Sequence, residues 1–271
     1  MVDIAIGTTT DTTITKMMRS SHIESSLTDL HTHILPAFDD GAENLQIALD
    51  ILRAEKKMGV DRVALTPHYY PMHEELDAFL IRRQQAYSAL LSCWDEETMP
   101  RLRLGAEVQY TPQLVQMNLH QLTIEQTNYL LLELPYSDVV PYVRQVVDAI
   151  LKEGITPIIA HVERCAIFRN EPDRLQELIQ MGALAQVDVE AFTNRCDARF
   201  AKICLSKGLA QIIASDIHNL TDRSLNIGTV ATEQYTEILQ WSERFARAVW
   251  DQTPLPAFAI RSVKKVFWGY Q

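Results

Sequence analysis

Glycine is scarce in this chain, nine in 271 residues, and the shortage removes two kinds of chemistry. No Gly-x-Ser-x-Gly elbow presents a serine nucleophile, and no glycine-rich phosphate loop ending in Gly-Lys cradles a nucleotide. Cysteine is equally sparse. Cys93, Cys165, Cys196 and Cys204 include no pair at the two-residue spacing of zinc and redox sites. None is followed, after five intervening residues, by the arginine that a cysteine-based phosphatase needs; Cys165 and Arg169 stand too close. Basic residues are outnumbered, with 25 Lys and Arg against 35 Asp and Glu and a formal net charge of -10, which disfavours nucleic acid as a partner. No apolar run approaches the roughly 20 residues needed to span a bilayer. The expectation is a protein with free thiols in a reducing compartment, cytoplasmic and not inserted in a membrane.

What is present is a repeat of short apolar runs and helical patterns. The segments Leu27–Leu30, Arg62–Leu65, Arg101–Leu104, Tyr129–Leu132, Ile155–Ala160, Leu184–Val187 and Leu209–Ala214 read as buried strands, apolar on both faces and ending abruptly in polar residues. Between them Asn44–Met58, Glu74–Trp94, Val139–Glu153, Asp173–Met181 and Ala198–Lys207 carry helical periodicity. Gly59, Gly154, Gly182 and Gly208 follow where helices would stop. Strand then helix, about seven times over, predicts α/β architecture with parallel strands and right-handed crossovers. Residues 1–26, rich in Thr and Ser, read as a flexible N-terminal tail, and 27–271 as a single barrel domain whose final stretch, Val230–Gln271, covers it with helices.

The polar strand ends decide between an open sheet and a barrel. His31, His68, Glu107, Glu133, His161, Asp188 and Asp216 stand at or just past the C-terminal ends of the strands. Only a closed barrel brings all such ends to one rim, so a distorted seven-stranded TIM-like (β/α)7 barrel is predicted. His31 and His33 alternate along one strand and share a face, and Asp39 and Asp40 follow on a short loop. Five of the eight histidines fall on these strand ends, a concentration that points to a site for borderline cations with mixed nitrogen and oxygen ligands.

The runs DLHTHILPAFDDGAENLQIAL, TPHYYP, GAEVQYTP, GITPIIAHVER and IIASDIHN resemble the polymerase and histidinol phosphatase (PHP) superfamily. Within it they are similar to the bacterial manganese-dependent tyrosine phosphatases of capsule and exopolysaccharide clusters. The resemblance spans about Leu27 to Arg223. It implies the PHP-type barrel and three divalent metal ions, manganese first, with iron or zinc as alternatives. His31, His33 and Asp216 would hold one ion. Glu107 would bridge it to a second, held also by His161, and Asp40, His68 and His218 would hold the third. Arg164 matches the arginine that grips the substrate phosphate, Asp216 is a candidate to assist departure of the leaving group, and Glu133 occupies a motif position whose role stays open between ligand and support.

Such a cluster can bind the oxygens of a phosphate monoester, activate water near neutral pH and stabilise in-line displacement. The activity implied is a protein-tyrosine phosphatase whose partner is a phosphotyrosine protein, a bacterial tyrosine kinase. A small-molecule phosphatase acting on histidinol phosphate is the alternative, and a non-catalytic kinase-binding regulator is one of another class. Phe38, Tyr69, Tyr70, Tyr110 and Tyr136 lie beside the candidate ligands and are expected to wall a slot for a phenyl ring. Asp188 and Glu190 depart from the family pattern as additional carboxylates, and Val162 stands where proline is frequent. The stretch Lys264–Tyr270 is a candidate contact for a homo-oligomer.

Overall fold

The computed structural model describes residues 26–271 except 138, 194, 222, 225, 231–234, 264, 267, 268 and 271. The expected N-terminal tail therefore lies outside the described residues, save for its last residue. Among the described residues nine parallel strands are interspersed with helices: β1 (Leu27–Thr32), β2 (Val60–Leu65), β3 (His68–Tyr69), β4 (Arg101–Leu104), β5 (Glu107–Gln109), β6 (Tyr129–Glu133), β7 (Thr156–Ile159), β8 (Leu184–Asp188) and β9 (Ile212–Ala214). The helices are α1 (Leu45–Lys57), α2 (Leu76–Leu91), α3 (Val143–Lys152), α4 (Ala166–Asn170), α5 (Pro172–Met181), α6 (Arg195–Ser206) and α7 (Thr236–Asp251). Every pairing among these nine strands is parallel.

The parallel α/β class holds, but among the described residues the strands form two sheets and no closed seven-stranded barrel is found. One has the order β1-β2-β4, the other β3-β5-β6-β7-β8-β9. The expected strands Arg62–Leu65 and Arg101–Leu104 are intact, but each is followed by a further short strand, β3 or β5, that the sequence did not predict, and the breaks between them have local causes. Thr66 and Pro67 separate β2 from β3, because a proline has no amide proton for the ladder. Gly105 and Ala106 separate β4 from β5, where a Cβ on Gly105 would lie 3.1 Å from Thr66 Cγ2. Beyond these breaks β3 and β5 belong to the larger sheet. Backbone bonds still tie the two sheets together, with Asp216 N donating to His31 O at 3.0 Å and His33 N to Ile217 O at 2.9 Å.

Local sequence explains most of the helix limits. The Asn44 side chain accepts from Ile47 N at 3.0 Å and caps α1, a contact worth about 1 kcal/mol. Its Ala48, Leu49, Ile51 and Leu52 face inward. Gly59, Gly154, Gly182 and Gly208 all adopt positive φ, as expected of residues that stop a helix. The C-terminal expectation needs correcting: within Val230–Gln271 the only described α-helix is α7. Thr253-Pro254-Leu255-Pro256 ends it, since prolines deny the ladder its donors, and two short strands, β10 (Lys265–Val266) and β11 (Gly269–Tyr270), pair antiparallel near the end.

The core has two parts. Leu30, Ala64, Leu131, Ile158, Leu184 and Ile212 from the strands pack with Phe245, Val249 and Trp250 of α7. A larger cluster fills the layer between strands and surrounding helices. Apolar burial closes the sheets away from the C-terminal strand ends and leaves those ends free to carry polar groups. No described helix is long and apolar enough to cross a membrane.

Candidate metal centre

The eight expected ligands come together at the C-terminal strand ends. His31 Nε2 lies 3.1 Å from His33 Nε2. It is 3.3 Å from both Glu107 Oε2 and Asp216 Oδ1, while His33 Nε2 is 3.4 Å and 3.3 Å from the same two atoms. His161 Nε2 meets Glu107 Oε1 at 2.9 Å, and His68 Nδ1 meets Glu107 Oε2 at 2.8 Å. Asp40 Oδ1 is 3.5 Å from His68 Nε2 and 3.4 Å from His218 Nε2.

Among the described residues three sets could hold an ion: His33 with Asp40, His68 and His218; His31 with His33 and Glu107; and His68 with Glu107 and Glu133; the expected ligands His161 and Asp216 fall in none of the three. His33 thus sits between two sets, where sequence reasoning placed it in one. Glu133, left open by sequence, falls in the third with its Oε1 3.9 Å from His161 Nε2.

The donor atoms fit metal ions better than they fit one another. Gln186 Oε1 receives the backbone N–H of His161 at 3.2 Å, which identifies it as an oxygen and makes His31 Nδ1, 3.1 Å away, a donor. Asp39 Oδ2 likewise takes the proton of His33 Nδ1 at 2.8 Å. With both Nδ1 positions protonated, the two Nε2 atoms face each other and need a cation between them, a proton in the apo protein or a metal ion. Glu107 Oε2, His68 Nδ1 and His218 Nε2 are buried, and their close polar contacts lack hydrogen-bond geometry, as expected of side chains arranged around ions.

Electrostatics agree. Burial opposes a charge on His31, yet the carboxylates of Glu107 and Asp216 raise its pKa to about 9. Burial also opposes ionisation of Glu107 and Asp216, but His31 and its neighbours hold both well below the carboxylate range. In the apo protein, protons on the histidines offset a surplus of buried carboxylate; divalent cations offset it more directly.

The backbone is bent to reach this arrangement. His161 has φ 30, Asp216 φ 53 and Ala37 φ 52, left-handed values that cost non-glycine residues of order 1–3 kcal/mol each and concentrate at functional sites. Gly41 has a steric role: a Cβ there would stand 1.9 Å from the His33 carbonyl oxygen, which already accepts from Ala42 N at 3.0 Å. The loop carrying Asp39 and Asp40 folds tightly against His33 because position 41 has no side chain.

Arg164 reaches the rim held by carboxylates, 2.5 Å from Asp188, 3.2 Å from Glu190 and 3.0 Å from Asp216. The two additional carboxylates thus pair with Arg164. Asp188 is fully buried, and burial raises its pKa to about 8 against the pull of Arg164. Sequence reasoning missed Arg223, which bonds Asp40 at 2.9 Å and Asp216 at 3.2 Å. It also missed the roles of Asp39 and Gln186 in orienting the two histidines. The adjacent Asp39 and Asp40 carried a readable signal; Gln186, inside an apolar strand, carried none.

The expected aromatic slot needs revision. Phe38, Tyr69 and Tyr110 are buried, Phe38 and Tyr69 against Phe79, so these three belong to the core. Tyr70 and Tyr136 remain at the mouth.

The model of the capsular polysaccharide synthesis CpsB/CapC family matches residues 27–244. The chain belongs to that family. It is 29% identical over 203 residues to CapC of Staphylococcus aureus, covering 73% of this chain and 79% of the relative. It is 28% identical over 208 residues to the tyrosine-protein phosphatase YwqE of Bacillus subtilis, covering 73% and 80%. A crystal structure from work on YwqE of Bacillus subtilis and CpsB of Streptococcus pneumoniae, described as metal-dependent tyrosine phosphatases, superposes with a TM-score of 0.75. At 24% identity it covers 88% of this chain and 100% of the other, a likeness of fold.

Proposed function

We propose that this CpsB/CapC family chain is a metal-dependent protein-tyrosine phosphatase of the cytoplasm, acting on a bacterial tyrosine kinase that regulates capsule or exopolysaccharide synthesis. The observation that carries the reading is the pair of opposed Nε2 atoms of His31 and His33 at 3.1 Å, ringed by the carboxylates of Glu107 and Asp216. The likeness to the tyrosine-protein phosphatase YwqE supports the substrate class. In this proposal the two sheets together act as a distorted PHP-type barrel. Three divalent ions, manganese by preference, are held by His31, His33, Asp40, His68, Glu107, His161, Asp216 and His218, with Glu133 as a further ligand.

When bound, divalent cations supply positive charge for a phosphate dianion and Lewis acidity that makes water nucleophilic near neutral pH. The chain's own residues do the rest. Arg164 and Arg223 stand on the rim with N–H groups able to exchange carboxylate partners for phosphate oxygens. Asp216 would face the ions with Oδ1 and hold Arg164 and Arg223 at the rim through Oδ2, and it is also the candidate to assist departure of the leaving group. A phenolate leaving group, with a parent pKa of about 10, departs with less proton assistance than an alkoxide.

Hydrolysis of a phosphotyrosine peptide and of histidinol phosphate, with manganese, iron or zinc supplied in turn, tests the proposal. Preference for the peptide, lost in His161→Ala and Asp216→Ala, is expected. Turnover of histidinol phosphate alone would reassign the substrate, and no turnover with any metal would leave a kinase-binding regulator.

A further inference from the structure

Tyr70 and Tyr136 differ from the other aromatics near the site in being exposed, at 36% and 51%, while their rings touch candidate metal ligands. The Tyr70 ring is stacked on the His68 imidazole, centroids 5.2 Å apart and planes 21° from parallel. Tyr136 meets His161 edge to face at 5.5 Å and 62°. Its hydroxyl points toward Glu133 Oε1 at 3.4 Å.

Both rings stand at the same rim. Tyr70 directly follows β3 and Tyr136 stands three residues past β6, and these two strands flank β5, whose first residue, Glu107, contacts both His68 and His161. The two rings therefore lie against histidines on either side of one carboxylate, and a guest ring between them would stack at roughly 4.5–5 Å from each centroid.

We propose that Tyr70 and Tyr136 form a clamp that selects aromatic over aliphatic phosphomonoesters, receiving the aryl ring between them while the phosphate lies over the histidine cluster. The clamp deepens the phosphatase reading and rests on it for the position of the phosphate. It assigns selection to two exposed rings, in place of the buried Phe38 and Tyr110. Tyr136 is a specificity residue with a second duty, because its hydroxyl lies beside Glu133, and the variants must separate ring from hydroxyl.

Calorimetric binding of phenylphosphonate and methylphosphonate to the manganese-loaded protein tests the clamp without requiring turnover. The wild type should prefer phenylphosphonate, and the preference should fall about tenfold in Tyr70→Ala/Tyr136→Ala and persist in Tyr70→Phe/Tyr136→Phe. An equal preference in wild type and the alanine pair would overturn the clamp, as would a wild type with no preference. Loss of the preference in the phenylalanine pair would overturn it too, by placing the effect in the hydroxyls. Absence of phosphatase activity with the preference intact would remove the phosphatase reading and leave aryl recognition standing.

Discussion

Asp39 Oδ2 accepts from His33 Nδ1 at 2.8 Å and from the backbone N of His68 at 3.0 Å, so one carboxylate fixes the ring of one candidate ligand and the main chain of another. Burial opposes its ionisation, but the His33 ring and the amides of Gly41 and His68 bring its pKa down to about 2. Asp39→Ala should therefore leave all the ligands in place yet weaken manganese binding about 10- to 100-fold, the usual cost of losing a carboxylate behind a ligating histidine. Titration calorimetry measures it. Unchanged affinity would mean that packing alone orients His33.

Removing metal should cost stability. An ion at 100 times its dissociation constant stabilises by about 2.7 kcal/mol, which corresponds to several degrees in Tm for a domain of this size. Scanning calorimetry before and after chelation should show a fall of that order, restored by manganese and absent in His33→Ala, whose ring belongs to two of the three ligand sets. A chelation-insensitive Tm in wild type would argue against tightly held ions.

Two glycines should respond differently to alanine. A Cβ at Gly41 meets the His33 carbonyl oxygen at 1.9 Å, a backbone atom, whereas at Gly105 it meets the Thr66 methyl at 3.1 Å. Gly41→Ala should cost at least about 2–3 kcal/mol and displace the Asp39–Asp40 loop, while Gly105→Ala should cost nearer 1 kcal/mol. Urea unfolding compares them, and equal losses would show that the loop relaxes freely.

Much of this was legible in the chain because the signals were local. Apolar runs located all seven expected strands, and the four glycines marked their helix ends. The His-x-His pair and the polar residues at the strand ends located the site, since C-terminal ends of parallel strands face one way. What escaped reading was set by long-range contact. The two added short strands, β3 and β5, follow from how Pro67 and Gly105 fit against neighbouring strands. Arg223 reaches Asp40 across 183 positions of sequence. The expected aromatic wall failed because adjacency to a ligand does not say which way a ring points: Tyr69 turns into the core against Phe79, and Tyr70, one residue on, turns out over His68.

The side of the fold away from the metal centre carries a separate pH dependence. Glu243 of α7 accepts from both the backbone N and the hydroxyl of Thr28, at 2.7 and 2.9 Å, with Arg62 at 3.7 Å. Burial outweighs these partners and raises its pKa from 4.5 to about 7. A carboxyl raised in the folded state binds its proton more tightly there than in the unfolded chain, so its stabilising contribution is complete below pH 4.5 and is lost as pH rises through 7. Other groups titrate in the same window, including Asp29 at about 6, so the informative quantity is the difference between wild type and Glu243→Gln. The variant surrenders an acceptor for Thr28 and should be the less stable of the two at pH 5. The gap should narrow toward pH 8 as the wild type alone acquires a buried charge. Denaturant unfolding with manganese held constant measures it, and a gap that stays constant or widens would show that Arg62 and Thr28 stabilise the ionised carboxylate more than burial penalises it.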